Sequence, residues 1–376
     1  MAGVGSGGND AYRTSYSYNP VPNYDGGLAN PTSLANPTLE SLYTTSYEVG
    51  TEMRFLNNRI GLDLTVYKGN TKSQILTSTV DAASGYTTAL VNAGLVRNKG
   101  IEIAMTGTPL QSRTGLNWTI NGTFAANRNQ IVELTDELNQ LILQNGPGGR
   151  GAIIAKPGGS MGDLYGRGYQ RAPDGQIIYD TNGYPKLTAD SKYIGNTNPQ
   201  WKASIGNTFK YKQFSVNFLI DAQYGGVGYS LTAAVMAEQG KTKNTLPGRY
   251  NGIIGNGVQQ NADGSFRAND VVSKDAAVYY NAHFGRDNVE GATYSTDFLK
   301  LREARFDYAL SPKLVSRLGL QRASFGVYGR DLFMVSNWPA FDPEFGTLNG
   351  SEINKGFEYG QFPSTRSIGV NVVIGL

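Results

Sequence analysis

Hydrophobic and polar residues alternate with a period of two in nine stretches of this chain, as expected of strands that set an apolar row on one face and a polar row on the other. Tyr47, Val49, Thr51, Met53 and Phe55 alternate with Glu48, Gly50, Glu52 and Arg54, and Ile60, Leu62, Leu64 and Val66 with Gly61, Asp63 and Thr65. Ile101, Ile103 and Met105 oppose Glu102 and Thr106, and Leu116, Trp118, Ile120 and Phe124 oppose Asn117, Thr119, Asn121 and Thr123. After a gap, Trp201, Ala203, Ile205 and Phe209 lead into Phe214, Val216, Phe218 and Ile220. Ala304, Phe306 and Tyr308 then oppose Glu303, Arg305 and Asp307, and Phe325 and Val327 oppose Ser324 and Tyr328. The last stretch carries Ile368, Val370, Val372, Ile374 and Leu376 on one side.

The connections alternate as strictly as the residues. Short turns fall at 56–59, 109–114, 212–213 and 310–322, and long connections at 70–97, 129–199, 225–295 and 337–361. A soluble sandwich has no reason to gather every long loop at one end. An outer-membrane barrel does, with short periplasmic turns and long extracellular loops. The expected fold is therefore all-β, an antiparallel transmembrane β-barrel portion of about nine or ten strands. Phe55, Trp118, Tyr211, Phe214, Tyr308 and Phe325 lie close to the short turns, where a periplasmic aromatic girdle belongs. Asp174-Gly175 and Asn182-Gly183 bracket an expected projecting hairpin, and Leu231 to Glu238 is the expected short helix, stopped by Gly240.

Composition narrows the chemistry. Charged residues make up 17%, the net charge is +3, and Cys is absent, which removes thiolate sites and gives no reason to expect nucleic acid. No stretch is long and apolar enough for a membrane helix. His283 is the only histidine, so a second His ligand for a metal is lacking and a Ser-His-Asp triad would rest on this one residue of a long connection, where a solvated loop histidine is expected instead. Gly240-Lys241-Thr242 lacks the preceding glycine of a phosphate loop. No catalytic, cofactor or metal residue is expected, and the chain does not read as an enzyme. Glu303, Arg305 and Asp307 share a strand face and are expected as a lumen-facing charge row. Tyr165, Tyr169, Tyr179 and Tyr184 in one long loop, and Trp338, Phe341 and Phe345 in another, are the candidates for contact with cargo or with a lid protein.

Several blocks resemble one family, the SusC/RagA-like branch of TonB-dependent outer-membrane transporters. They are Asn36-Pro37-Thr38-Leu39-Glu40 with Thr44-Thr45-Ser46-Tyr47-Glu48-Val49-Gly50, then Asn98-Lys99-Gly100-Ile101-Glu102 and Asn127-Arg128-Asn129-Gln130-Ile131-Val132-Glu133-Leu134. Ile194-Gly195-Asn196-Thr197-Asn198-Pro199, Leu301-Arg302-Glu303, Gly329-Arg330-Asp331-Leu332-Phe333 and Asp342-Pro343-Glu344 follow in order. The resemblance implies a barrel of about 22 strands with a plugged lumen, and a Gram-negative, Bacteroidetes-like outer membrane as its location. It further implies energy from the TonB complex through an N-terminal region, a SusD-like surface lipoprotein as lid, and oligosaccharide or peptide cargo. Nothing here resembles the plug or the TonB-contacting segment, so the expectation is a C-terminal fragment. In it, residues 1–42 form an extracellular loop and the stub of a preceding strand, and 43–376 the barrel wall. Ile368, Val370, Val372, Ile374 and Leu376 would then form the strand recognised during assembly, although Leu376 is aliphatic where the family commonly ends on an aromatic residue. The alternatives are a non-transporting outer-membrane barrel, such as an adhesin or passive porin, and a secreted β-rich glycan-binding protein.

Overall fold

The computed structural model describes residues 2–7, 14–21, 24–134, 139–345, 347–349, 352–354 and 356–376. Apart from a two-residue strand, Ser33–Leu34, that joins it in parallel, the main sheet forms a wall of ten sequentially ordered antiparallel strands. These are β1 (Ala2–Gly7), β2 (Leu42–Phe55), β3 (Ile60–Thr79), β4 (Thr88–Leu110), β5 (Leu116–Glu133), β6 (Trp201–Tyr211), β7 (Phe214–Tyr224), β8 (Phe298–Ala309), β9 (Arg322–Ser336) and β10 (Ser367–Gly375). All nine alternating stretches lie in this wall, and β1 adds a strand beside β2.

Register makes the alternation continuous across strands, because directly opposed residues share a face. Val216 faces Phe209 on one side and Phe306 on the other, Phe306 faces Val327, and Val327 faces Val370. One row nearer the short turns, Tyr211, Phe214, Tyr308 and Phe325 line up in the same way, with the Phe214 and Tyr308 rings 5.0 Å apart. The apolar face is open to the surroundings: Val49, Val370 and Val372 are 72%, 67% and 62% exposed. On the other face, Gly369 lies against the Tyr328 ring and Gly100 against that of Tyr67, each where a Cβ would come within 2.6 Å of ring atoms.

One expectation about connections is corrected. The stretch 70–97 is not a loop: β3 and β4 pair all the way to Thr79 and Thr88, leaving a tight connection with a single turn at Ala82–Ser84. At 20 and 23 residues these strands exceed the roughly 9–11 that cross a bilayer, so their upper halves stand above it. The short connection 310–322 holds a helical turn, Pro312–Arg317.

The three remaining long connections do not extend separately. They pack into one cap with its own core, in which Ile153, Leu164, Tyr229, Ala234, Val289, Ala292 and Phe357 come from all three. Val227–Ser230 is flanked by Thr293–Ser295 and, in parallel, by Phe357–Glu358. Residues 141–145, 152–155, 163–166 and 192–196 build a four-stranded sheet whose inner face meets Val96 and Ile131 of the upper wall. The expected helix is present as α1 (Leu231–Glu238), opened by Ser230, whose hydroxyl accepts the Ala233 N–H at 3.1 Å. A second helix, α2 (Ala276–Phe284), packs in the same cap. The expected hairpin at 176–179 has its two glycine turns, with φ of 89° at Gly175 and 78° at Gly183. It does not project, because Ile178–Tyr179 pairs in parallel with Val258–Gln260. Among the described residues, no helix is long and apolar enough to cross a membrane.

Candidate functional site

The polar face of β7, β8 and β9 gathers charge through a backbone irregularity. Ile220 opposes Leu301 but Leu219 opposes Glu303, so Arg302 is an inserted residue of β8 against β7, while β9 sets Asp331 and Leu332 against it. A β-bulge of this kind turns two consecutive side chains to one face. Arg302 thus joins Glu303, Arg305 and Asp307 on the polar side. Its guanidinium donates to Asp221 at 2.7 Å and to Glu344 at 2.5 Å. Lys300, only 3% exposed, donates to Asp342 at 2.6 Å and to the same Glu344. The Phe298 ring lies 4.6 Å from the Lys300 ammonium. Burial pushes the Asp342 carboxyl up, and the Lys300 ammonium with the Glu344 N–H more than offsets this, leaving it below the usual carboxylate range. Two cations and three carboxylates therefore tie the top of the wall to the last long connection.

The expected charge row sits below this cluster on one face. Arg305 pairs with Asp307 at 2.7 Å, and Glu303 receives Arg330 of β9 at 3.1 Å. Lys300, Arg302 and their acidic partners were missed in the sequence because alternation breaks at the bulge that creates the cluster.

Several aromatic candidates are buried in the cap. Tyr169 and Tyr179 are 8% and 3% exposed and pack on His283, and Trp338, 7% exposed, stacks on Phe345 with ring centroids 4.6 Å apart. Their ring faces are thus occupied by the protein, which corrects their selection as free contact residues. Tyr165 and Tyr184 are half-buried, the first edge-on to Tyr193, and Phe341 is exposed. Ile368, Val370, Val372 and Ile374 line the apolar face of the end strand β10, and Leu376 follows it, exposed.

His283 is also corrected. It is not a solvated loop residue but lies on α2, 8% exposed, with the Tyr169 hydroxyl 3.2 Å from Nδ1 and the Tyr179 hydroxyl 3.2 Å from Nε2. Burial lowers its pKa to about 4, so the imidazole is neutral at physiological pH. It bridges two loops as a packing element.

Where the polar face meets the cap, asparagines converge on a cavity of about 410 Å³. Asn98 Oδ1 accepts from Asn129 at 3.0 Å, the Tyr67 hydroxyl donates to Asn127 at 3.3 Å, and Asn129 Oδ1 accepts the Met161 N–H at 2.9 Å. Asn198 completes this rim. Amide groups offer donors and acceptors together, which suits uncharged polar ligands such as peptide bonds or sugar hydroxyls. The signal was present in the sequence, as asparagines recurring on the polar rows of β4 and β5.

Residues 7–140 match the family model of the TonB dependent receptor-like β-barrel. TonB-dependent receptor P3 of Formosa agariphila is 23% identical over 371 residues, covering 91% of this chain and 35% of that relative. TonB-dependent receptor P39 of the same organism is 21% identical over 97% of this chain and 38% of that relative. The chain spans less than two fifths of either. Among solved structures, the RagAB peptide transporter superposes over the whole chain and 40% of its own with a TM-score of 0.73 at 17% identity. The closed-closed state of the RagAB peptide importer gives 0.72.

Proposed function

We infer, from the premise that this chain is a SusC/RagA-like barrel portion of a TonB-dependent receptor in the outer membrane, that the protein it belongs to imports polar oligomers actively. Its cargo is a peptide or an oligosaccharide, its energy comes from the TonB complex, and a SusD-like lipoprotein covers its outer end. The observation that carries this reading is the cap. Three long connections from one rim share a hydrophobic core and are tied by ion pairs to the polar face of the wall, beside an amide-lined cavity. A passive pore needs no such cored assembly over its mouth. The similar solved structures named for peptide import support the peptide alternative, and the amide lining suits either cargo.

The test is uptake by cells carrying the full-length protein. Labelled peptides and oligosaccharides are supplied separately, before and after the proton-motive force is collapsed. Import of one class that stops on collapse, and that is lost without the protein, is expected. Uptake that continues after collapse marks a passive pore and overturns the reading.

A further inference from the structure

The apolar face of the wall ends along a register row and gives way to positive charge. Val66 of β3, Ile101 of β4 and Ala126 of β5 are direct partners at its upper edge. Two residues further toward the cap, the same face carries Lys68, Lys99 and Arg128, again direct partners. Asn70, Arg97 and Gln130 form the row above. Three cations thus stand side by side on adjacent strands, spaced by about 4.8 Å, and directly opposed like charges repel.

Among the described residues, no carboxylate pairs with them. On β2 to β5, Glu48, Glu52, Asp63 and Glu102 alternate to the opposite, polar face. None of Lys68, Arg97, Lys99 and Arg128 forms an ion pair with a described residue. Arg97 donates to the Asn70 amide at 3.1 Å, and Arg128 to the carbonyls of Asn127 at 3.0 Å and Gln200 at 2.6 Å. A cavity of about 440 Å³ opens on this row, lined by Arg97, Lys99, Arg128, the Gly158-Gly159-Ser160 turn and Tyr193. Asp163 also borders it, with its carboxylate engaged by Asn196 at 2.7 Å and by the Ser160 N–H at 2.8 Å.

We propose that Lys68, Lys99 and Arg128, with Arg97 above them, bind the phosphate groups of an anionic lipid headgroup in the outer leaflet. The level of the row decides for lipid over free anion. On β5 the apolar positions run from Leu116 to Ala126, about the length a tilted strand needs to cross the hydrocarbon. Arg128 follows at the next position on that face, where headgroup phosphates lie. Trp201 and Tyr224, stacked 5.7 Å apart beside Ala126, mark the same level as aromatic residues do at a membrane interface. The row lies on the side of the long connections, which is the outer leaflet.

The experiment uses the full-length protein in phosphatidylcholine nanodiscs doped with diphosphoryl lipid A, monophosphoryl lipid A or neither. Lipid A that stays with the protein after exchange into pure phosphatidylcholine is quantified by mass spectrometry. The triple variant Lys68→Gln/Lys99→Gln/Arg128→Gln, checked for folding by heat-modifiable migration, is expected to retain the diphosphoryl lipid about tenfold less. Lys99→Gln alone is expected to lose several-fold, which keeps the test decisive if the triple variant does not fold. Lys210→Gln/Lys212→Gln at the opposite rim is expected to retain it fully. Unchanged retention in a folded triple or single variant overturns the proposal, as does complete displacement by inorganic phosphate, which marks a free-anion site.

Discussion

The carboxylate of Glu358 accepts the Ser230 hydroxyl at 2.7 Å, joining the last long connection to the residue that caps the N-terminus of α1, 128 positions away in sequence. Four further donors converge on it: the Thr232 hydroxyl at 2.6 Å, and the N–H groups of Thr232, Gly360 and Gln361 at 3.1, 2.5 and 2.9 Å. Glu358 is 2% exposed, and among the described residues it forms no ion pair. Its charge is held by hydrogen bonds and by the N-terminus of α1.

Glu358→Ala leaves several buried donors unpaired, and a loss of about 2–4 kcal/mol of cap stability is expected. Burial pushes this carboxyl up, but the five donors hold it below the ordinary value. Glu358→Gln, which keeps the shape but turns one acceptor into a donor, should lose about half as much. Hydrogen exchange in 225–297 and 356–366 of the full-length protein checks both. Equal protection in wild type and Glu358→Ala sinks the claim.

His283 gives the cap a pH dependence of known sign. Its folded pKa is lowered to about 4 from 6.5, so the unfolded cap binds the proton first. The stabilisation is complete above pH 6.5 and is lost as pH falls toward 4, by up to about 3 kcal/mol. Protease resistance of the cap, measured across this window, should fall with acid in wild type and much less in His283→Gln. A resistance that falls identically in both assigns the dependence to other groups.

The wall was legible because alternation is a local property: each strand declares its own faces. The legibility stopped where the faces change role. Above Val66 the apolar row becomes Lys68, Asn70 and Lys72, and with both faces polar the strand looked like loop, although pairing continues to Thr79. The cap was hidden for a different reason. Its tyrosines are strand-like in composition and loop-like in spacing, and what buries Tyr169 and Tyr179 is a histidine 114 and 104 residues away. The bulge at Arg302 is an inserted residue, which a period of two cannot express.

That bulge makes the next prediction. Lys300→Met removes the ammonium facing Asp342 and Glu344 and leaves two carboxylates together, one of them deeply placed. A cost of about 3–5 kcal/mol is expected, since breaking a buried pair strands its partner. Removing the acids as well, in Lys300→Met/Asp342→Asn/Glu344→Gln, should recover part of it. Thermal unfolding of the full-length protein in detergent distinguishes the two. A single variant as stable as wild type would show that the cluster is solvated rather than structural.

The two faces of the wall differ in what they tolerate, and neighbouring residues on one strand can show it. Ile205 of β6 lies mid-strand on the apolar face, opposite Ile220 and Gly122, while Ser204 lies on the polar face with its hydroxyl 2.7 Å from that of Thr123. An arginine at Ile205 must enter the hydrocarbon near its middle, at a cost of about 2–4 kcal/mol. An arginine at Ser204 loses one hydroxyl contact and enters a polar row that already holds Lys202 and Asp221. Ile205→Arg should therefore reduce the folded, heat-modifiable fraction in outer membranes several-fold, and Ser204→Arg should leave it near wild type. The reverse ranking would exchange the two faces and place the charge cluster of Arg302, Asp221 and Glu344 toward lipid, where its desolvation could not be sustained.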